Sequence, residues 1–189
     1  GAAGDGTTND AAAWASTMAA VASGDTVDGY GLSYKVNSAV TVPAGVEIRN
    51  AAFIAGTAGM NVLLVNTGCR LTKVKVTGTG TTSITERAIY PAADGVTDVV
   101  LDVEVTNLTF GVHAQPISST YPARWRGRVY AHEIVGTTGS SEGYGLLLSP
   151  AEHCEIEVVA KNIKRHAAYM SAGARFNNIT VNVDTCGNA

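Results

Sequence analysis

Two pairs of carboxylates have residue types and a spacing that could do acid–base chemistry: Asp102 with Glu104, and Glu155 with Glu157. In an extended strand, residues two apart project from the same face, with their Cα atoms about 6.6 Å apart. That distance is near the carboxyl separation of an inverting glycosidase, about 6.5–9.5 Å. A general acid at neutral pH also needs burial or a like charge that raises its pKa. The neighbours of each pair therefore decide whether catalysis is a reasonable hypothesis.

Tyrosines and one arginine are candidates for binding sugars, because an aromatic ring packs against the apolar face of a pyranose. Tyr130, Tyr144 and Tyr121 are the candidate ring contacts. Arg128, two residues before Tyr130 on the same predicted face, is the candidate hydrogen-bond donor to sugar hydroxyls. We expect Tyr130 to be the best single sugar contact, whereas Trp125 is expected to face the core.

The histidines and cysteines do not form clusters of the kind that binds metals. There is no CxxC pair and no Cys/His set at zinc-ligand spacing, so we expect mostly buried, reduced thiols. Each histidine falls in a different predicted repeat and is expected at the surface or in a turn. The sequence therefore predicts no metal site and no cofactor. The residues concerned are His113, His132, His153, His166, Cys69, Cys154 and Cys186.

The composition excludes several classes of protein. With 46% hydrophobic and 15% charged residues, the chain is not of a disordered type, and its 21 glycines suit short strands joined by tight turns. A net charge of −3 argues against a nucleic-acid partner. The N-terminus has no basic start followed by an apolar core, and no apolar run could span a bilayer, so membrane insertion is not expected. A secreted protein whose leader has been removed is an alternative.

Residues 1–24 are predicted to be a lead-in followed by one helix, Ala11–Ala22, with Asn9 or Asp10 capping its first turn. Apolar residues recur on one stripe of this helix. A single short helix cannot bury such a stripe alone, so we expect it to cover the end of the structure that follows. The stripe consists of Trp14, Met18 and Val21.

Residues 25–189 are predicted to form short strands that recur at intervals of 23 to 29 residues. Leucine-rich repeats and propeller blades do not fit this pattern, and a β-sandwich would not explain why the strands align column by column. The alignment favours an all-β fold, a single-stranded right-handed parallel β-helix with a short N-terminal capping helix. The predicted inward columns are Val74, Val103, Val129, Val158 and Val181, followed by Val76, Val105, Ala131, Ala160 and Val183. The predicted second strands are Ala88–Pro91, Gly111–Ala114, Gly145–Leu148 and Ala167–Met170.

The same register predicts an outward ladder of alternating charge. Side chains in one column stack about 4.8 Å apart from coil to coil, where opposite charges stabilise each other modestly. Each candidate carboxylate then has a cationic neighbour, which lowers a carboxyl pKa instead of raising it. This favours a static ladder over catalysis. The columns are Lys73, Asp102, Arg128, Glu157 and Thr180, then Lys75, Glu104, Tyr130, Val159 and Asn182, with Glu155 beside Arg126.

Four segments near the N-terminus carry a resemblance to a known family. Gly4–Ala12 resembles the GDG-x-T-x-D stretch that leads into the capping helix of pectate-lyase-like β-helix domains. Gly24–Val27, Tyr34–Val36 and Val42–Arg49 are similar to the progression that follows in that family. Such domains are common in the tail spikes and tail fibres of bacterial viruses. The resemblance implies the β-helix, but pectate-type lyases use calcium-binding aspartates and an arginine base, for which no matching cluster is present.

The resemblance implies a virion tail spike or fibre segment that binds, or presents to, a bacterial surface polysaccharide. The alternatives are a polysaccharide lyase or hydrolase whose active site lies between chains or outside this segment, and an inert β-helical stalk. Expected partners are the polysaccharide, other virion tail proteins and further copies of the chain in a homotrimer. Two loops, 77–85 and 136–143, leave the same turn and are expected to wall a shallow groove. The last coil is expected to be bare and to continue in a longer chain or to be capped by a partner.

Overall fold

The computed structural model of the chain describes residues 1–82, 84–137 and 142–187. Its single described helix lies near the N-terminus, and all other regular elements are strands. The elements are β1 Asp5–Asn9, α1 Ala11–Ala20, β2 Thr26–Asp28, β3 Ser33–Val36, β4 Val40–Val42, β5 Glu47–Ala55, β6 Asn61–Val65, β7 Arg70–Thr77, β8 Arg87–Pro91, β9 Val100–Thr106, β10 Phe110–Ala114, β11 Arg126–Ile134, β12 Tyr144–Leu148, β13 Glu155–Ile163, β14 His166–Met170 and β15 Asn178–Val183.

The strands wind into a parallel β-solenoid of about seven turns, which we call coils. One sheet, sheet A, has the order β1-β3-β5-β7-β9-β11-β13-β15, with β2 also paired to β5. The other, sheet B, has the order β4-β6-β8-β10-β12-β14. Every strand pairs in parallel with the corresponding strand of the next coil, as the alignment of repeats predicted. The all-β class and the parallel β-helix are therefore confirmed.

Both predicted inward columns are confirmed by the pairing register. Val103 lies opposite Val74 and Val129, and the step continues through the next two coils. Alternation along each strand places these apolar side chains inside and the intervening polar ones outside. Burial is complete along the columns except in the last coil, where Val181 and Val183 are 40% and 48% exposed.

The N-terminal helix covers the first coil, as expected, and ends two residues earlier than predicted. Trp14 packs its ring against Tyr34 and Phe53, with centroids 5.0 and 4.8 Å apart. Met18 is buried beside it. This apolar lid protects the coil edge, which would otherwise offer its backbone to other chains.

The predicted helix cap is only partly correct. Asn9 Oδ1 accepts a hydrogen bond from the amide of Ala11 at 3.2 Å. The carboxylate of Asp10 turns away from the helix and accepts from the amides of Ala3 and Gly4, at 2.6 and 3.0 Å. This fixes the lead-in, of which Asp5–Asn9 is a strand paired with β3 and not an irregular segment.

The ladder register is wrong at one residue, Lys73. The column contains Thr72, which pairs with Asp102, while Val74 pairs with Val103. Lys73 is the extra residue of a β-bulge with φ 53°, and its amide donates to Asp102 Oδ2 at 3.3 Å. The inserted residue sets the inward residues Leu71 and Val74 three positions apart, whereas their partners Leu101 and Val103 are two apart.

One corner of successive coils is built by residues in the left-handed region, where the sequence predicted a turn. Asn107, Glu133 and Asn162 have φ of 55°, 51° and 53°. Asn162 Nδ2 donates to Glu133 Oε1 at 2.6 Å, and the Asn107 amide donates to the Glu133 carbonyl at 3.1 Å. The corners thus stack on one another and keep the two sheets in step.

Candidate glycan-contact face

The outward side of sheet A, from β5 to β15, carries most of the predicted site residues, and we call it the ladder face. Wherever two charged side chains are neighbours along a column, their charges are opposite. Its four columns are Glu47, Arg70, Val100, Arg126, Glu155, Asn178; Arg49, Thr72, Asp102, Arg128, Glu157, Thr180; Ala52, Lys75, Glu104, Tyr130, Val159, Asn182; and Ile54, Thr77, Thr106, His132, Lys161, Asp184.

The side chain of Arg128 makes three hydrogen bonds on this face. Its Nε and Nη2 donate to Glu157 Oε2 at 2.8 and 2.6 Å. Its Nη1 donates to Tyr130 Oη at 2.8 Å. The guanidinium therefore joins a carboxylate of the next coil to a phenol of its own strand, which fixes the orientation of both.

Two of the carboxylates predicted as weak catalytic candidates, Glu104 and Glu157, have cationic partners. Glu104 receives Lys75 Nζ at 2.8 Å and His132 Nε2 at 3.1 Å. The hydrogen bond from Lys75 is the main cause that holds the pKa of Glu104 below its usual range. Glu155 is exposed opposite Arg126 in the register.

A shallow groove of about 420 Å³ runs over the ladder face beside Glu155 and Glu157. Gly127, whose φ is +124°, is among the residues that line it and pairs with the inward residues Leu101 and Ile156. A Cβ at this position would come 1.9 Å from the carbonyl oxygen of Leu101. We call this depression the Gly127 groove. Its lining residues are Val100, Arg126, Gly127, Glu155, Ile156, Glu157, Asn178 and Thr180.

A second groove of about 310 Å³ lies on the same face, over β7, β9 and β11, and contains Tyr130. The side chain is 37% exposed, and the guanidinium of Arg128 lies 5.5 Å from its ring centroid. We call this depression the Tyr130 groove. It is lined by Lys73, Val74, Lys75, Asp102, Val103, Glu104 and Tyr130. The structure thus places Arg128 between its two partners, Tyr130 of this groove and Glu157 of the Gly127 groove.

Tyr144, a predicted sugar contact, is buried on the other sheet, with 5% of its surface exposed. Its ring stacks between Phe110 and His166, with centroids 5.5 Å away on each side. Rings stacked along the solenoid axis cover one another's faces, so they present edges instead of platforms. Tyr121 is half-buried and lies in the segment between β10 and β11.

His113 is likewise buried, and the expectation that it lies at the surface or in a turn is wrong. It is 4% exposed and stacks on Phe110 at 5.0 Å. Its Nδ1 accepts a hydrogen bond from Arg87 Nε at 2.9 Å. Burial, and then the charge of Arg87, lowers the pKa of His113 to about 3. The Arg87 guanidinium also lies 4.6 Å from the ring centroid of Tyr90.

Sequence reasoning missed this aromatic stack on sheet B because its members lie on the outward side of their strands. All five residues of β10 and all five of β12 are buried. Short strands buried on both faces show no alternation, so periodicity alone does not tell an outward position from an inward one. The spacing of Phe110, Tyr144 and His166 in the column of repeats was the available signal.

The cysteines are all free thiols, with Cys69 and Cys154 buried and Cys186 exposed. Burial raises the pKa of both buried thiols to about 11, which keeps them protonated. Within residues 1–82, 84–137 and 142–187, no group of three or more His, Cys, Asp or Glu is arranged to hold a metal ion. Over the same residues, no helix is long and apolar enough to cross a bilayer.

The groove wall expected from loops 77–85 and 136–143 falls partly outside the described residues, which omit 83 and 138–141. The described parts do approach one coil corner. Thr82 and Gly136 line a depression of about 360 Å³ there.

Comparison with known proteins gives one family match. Residues 2–63 match the model described as the N terminal extension of bacteriophage endosialidase. The match covers less than half of the chain, from the lead-in into the first coils, and leaves out the Arg128–Glu157 pair. Together with the parallel β-solenoid, it indicates a segment of the phage tail spike or fibre type. The pectate-lyase-like type remains a prediction. Searches of curated proteins and of solved structures found no match.

Proposed function

We propose that this chain is a segment of a phage tail spike or tail fibre, carried on the virion tail, whose ladder face contacts a bacterial surface polysaccharide. The observation that carries the first half is the match of residues 2–63 to an extension of a bacteriophage protein. The second half rests on two grooves, one containing Glu157 and the other Tyr130, which are the two partners of Arg128.

The geometry supports a binding surface for an extended, hydroxyl-rich chain. The grooves lie on neighbouring columns of one flat sheet face, so a polymer laid across the coils would meet both. Arg126, Asn178 and Thr180 supply donors or acceptors in the Gly127 groove, and Tyr130 supplies an exposed ring in the other. Grooves lined by a few convergent polar groups are the usual form of ligand sites.

The enzyme alternative receives no support from the four candidate carboxylates, because Glu104 and Glu157 are held by cations. Cleavage would then require residues of another chain or of another segment. An inert stalk would show neither cleavage nor polysaccharide binding.

Polysaccharide binding can be tested with a pair of tyrosine variants of similar exposure. Tyr130 on the ladder face and Tyr169 on sheet B are 37% and 42% exposed. Binding to a panel of purified capsular and O-antigen polysaccharides should be lost or weakened about tenfold in Tyr130→Ala, which corresponds to about 1.4 kcal/mol. Tyr169→Ala should bind like the unmodified protein. Equal loss in both variants, or no binding to any polysaccharide, would refute the role of the ladder face. Release of reducing ends or unsaturated sugars in the same assay would support the enzyme alternative.

We also propose that the chain assembles as a homotrimer, as the resemblance to tail spikes implies. Exposed apolar side chains at the last coil and on sheet B, among them Met170 and Phe176, are available for contacts with further copies of the chain. Sedimentation equilibrium at micromolar concentration should give three times the chain mass. A single monomer species would contradict this proposal without affecting the binding test.

A further inference from the structure

We infer that the polysaccharide recognised by the ladder face is uncharged. This inference rests on the proposed binding function and adds the chemical class of the ligand. It follows from how the charges of the face are distributed and bonded.

The four columns of the ladder face carry equal numbers of cations and carboxylates. A face that selects a polyanion has an excess of positive charge, since Coulomb attraction and counterion release supply most of its affinity. With Lys73 of the β-bulge, which lines the Tyr130 groove outside the columns, the excess of positive charge on the face is a single cation. The cations are Arg49, Arg70, Lys75, Arg126, Arg128 and Lys161, and the carboxylates are Glu47, Asp102, Glu104, Glu155, Glu157 and Asp184.

The most central cation is already occupied by protein partners. Arg128 gives two hydrogen bonds to Glu157 and one to Tyr130. A carboxylate of an acidic sugar that took this guanidinium would leave Glu157 without its cation and close to a second anion. The exchange replaces one ion pair by another and adds a repulsion, so it gives no net attraction.

Each groove presents carboxylates next to its cations. In the Gly127 groove Arg126 lies with Glu155 and Glu157, and in the Tyr130 groove lysines lie with Asp102 and Glu104. A sugar hydroxyl can donate to a carboxylate and accept from a guanidinium or ammonium group at the same time. Neutral hexoses therefore match this mixed lining without breaking any pair, whereas an anionic sugar meets a carboxylate in either groove.

The test compares one acidic bacterial polysaccharide with the same polymer after carboxyl reduction, and with a neutral polysaccharide, in binding to the unmodified protein. Binding is measured at about 50 and 200 mM salt. We expect the neutral and the reduced polymers to bind with less than about twofold change between the two salt concentrations. The acidic polymer should bind at least about tenfold more weakly than its reduced form. Tight binding of the acidic polymer that falls steeply with salt would overturn the inference while supporting the proposed function. Binding of none of the polymers would overturn both.

A matched pair of charge variants gives a second measurement. Glu155→Gln and Ser16→Lys each change the net charge by +1, but only Glu155 lies in the Gly127 groove, whereas Ser16 is exposed on α1. Glu155→Gln should increase binding of the acidic polymer about two- to fivefold, the range of one exposed charge interaction. Ser16→Lys should leave it unchanged. An equal increase in both variants would show that overall charge and not the groove controls selection, and would overturn the inference.

Discussion

Arg128 donates from two nitrogens to a single oxygen of Glu157, across one step between neighbouring coils of the ladder face. This pair links two strands that are 29 residues apart in sequence. It also fixes Arg128 against Tyr130, and so connects the stability of the sheet to the geometry of the grooves.

The Arg128–Glu157 pair should contribute little to stability because both side chains are partly exposed, by 46% and 32%. In a double-mutant cycle of Arg128→Gln and Glu157→Gln, we expect a coupling energy of about 0.2–1 kcal/mol, measured by urea unfolding. Arg128→Glu should cost more than Arg128→Gln, since it places like charges beside Asp102 and Glu157. If the chain cleaves a polysaccharide and Glu157→Gln or Asp102→Asn abolishes cleavage in a folded protein, the structural interpretation of the ladder is wrong.

Gly127→Ala should destabilise the fold by about 1–3 kcal/mol, because the left-handed backbone and the nearby Leu101 carbonyl both oppose a Cβ. Gly31→Ala is the matched control. Gly31 also has a positive φ, 71°, but a Cβ there would meet no atom within 4 Å. Its cost should be limited to the backbone strain of about 1 kcal/mol. Equal costs in the two variants would show that the close approach at Gly127 is relieved by small shifts.

Trp14→Ala should remove the apolar lid of the first coil at a cost of about 3–5 kcal/mol. The indole nitrogen of Trp14 is buried and has no hydrogen-bond partner among the described residues, so Trp14→Phe loses packing area but no hydrogen bond. We therefore expect the phenylalanine variant to lose much less stability in urea unfolding. A comparable loss in both would mean that the indole makes a polar contact, such as one through water.

Stability should fall on mild acidification because of His113. Its folded-state pKa, about 3, lies below the ordinary value of 6.5. The unfolded chain therefore binds a proton first, and stability is lost as the pH falls from about 6.5 towards 3. The slope in this window is up to about 1.4 kcal/mol per pH unit. His113→Gln should flatten the slope, while His153→Gln, which lies in another coil and leaves the Arg87 contact intact, should keep it.

Below pH 3.8, the loss of stability on acidification has a different origin and serves as an internal control. Two hydrogen bonds from Arg124 hold the pKa of Asp98 at about 2, against an ordinary value of 3.8. Its contribution is lost as the pH falls through this lower range. A loss of slope in His113→Gln confined to the range below pH 3.8 would contradict the assignment to His113.

The coil register of this fold was predictable from sequence because each repeat must bury the same inward positions. Val103 and Val129 could be aligned since a shift by one residue would move every side chain of the strand to the opposite face of the sheet. Lys73 was placed wrongly because the alternation from Val74 onward fixes the register only on that side of the bulge. The three-residue step from Leu71 to Val74 was the available signal. The ladder beyond Asp102 followed correctly.

The candidate site was less predictable than the fold. Tyr130 and Arg128 were found because they alternate with inward residues on a strand that has one solvent-exposed face. Tyr144 and His113 were misplaced because β12 and β10 are buried on both faces, which removes the alternation that distinguishes inside from outside. The Gly127 groove carried no signal in the sequence beyond one more glycine in a glycine-rich chain.

The pairing of each strand only with the strands one coil before and after it has a mechanical consequence. The hydrogen bonds between coils point along the solenoid axis, so a force that pulls one end of the chain away along that axis loads the bonds of the terminal coil first. The coils would then detach one after another from that end, at the force needed to separate the terminal coil from its neighbour. At the N-terminal end that force is raised by α1, because Trp14 must leave Tyr34 and Phe53 before the first coil can peel away.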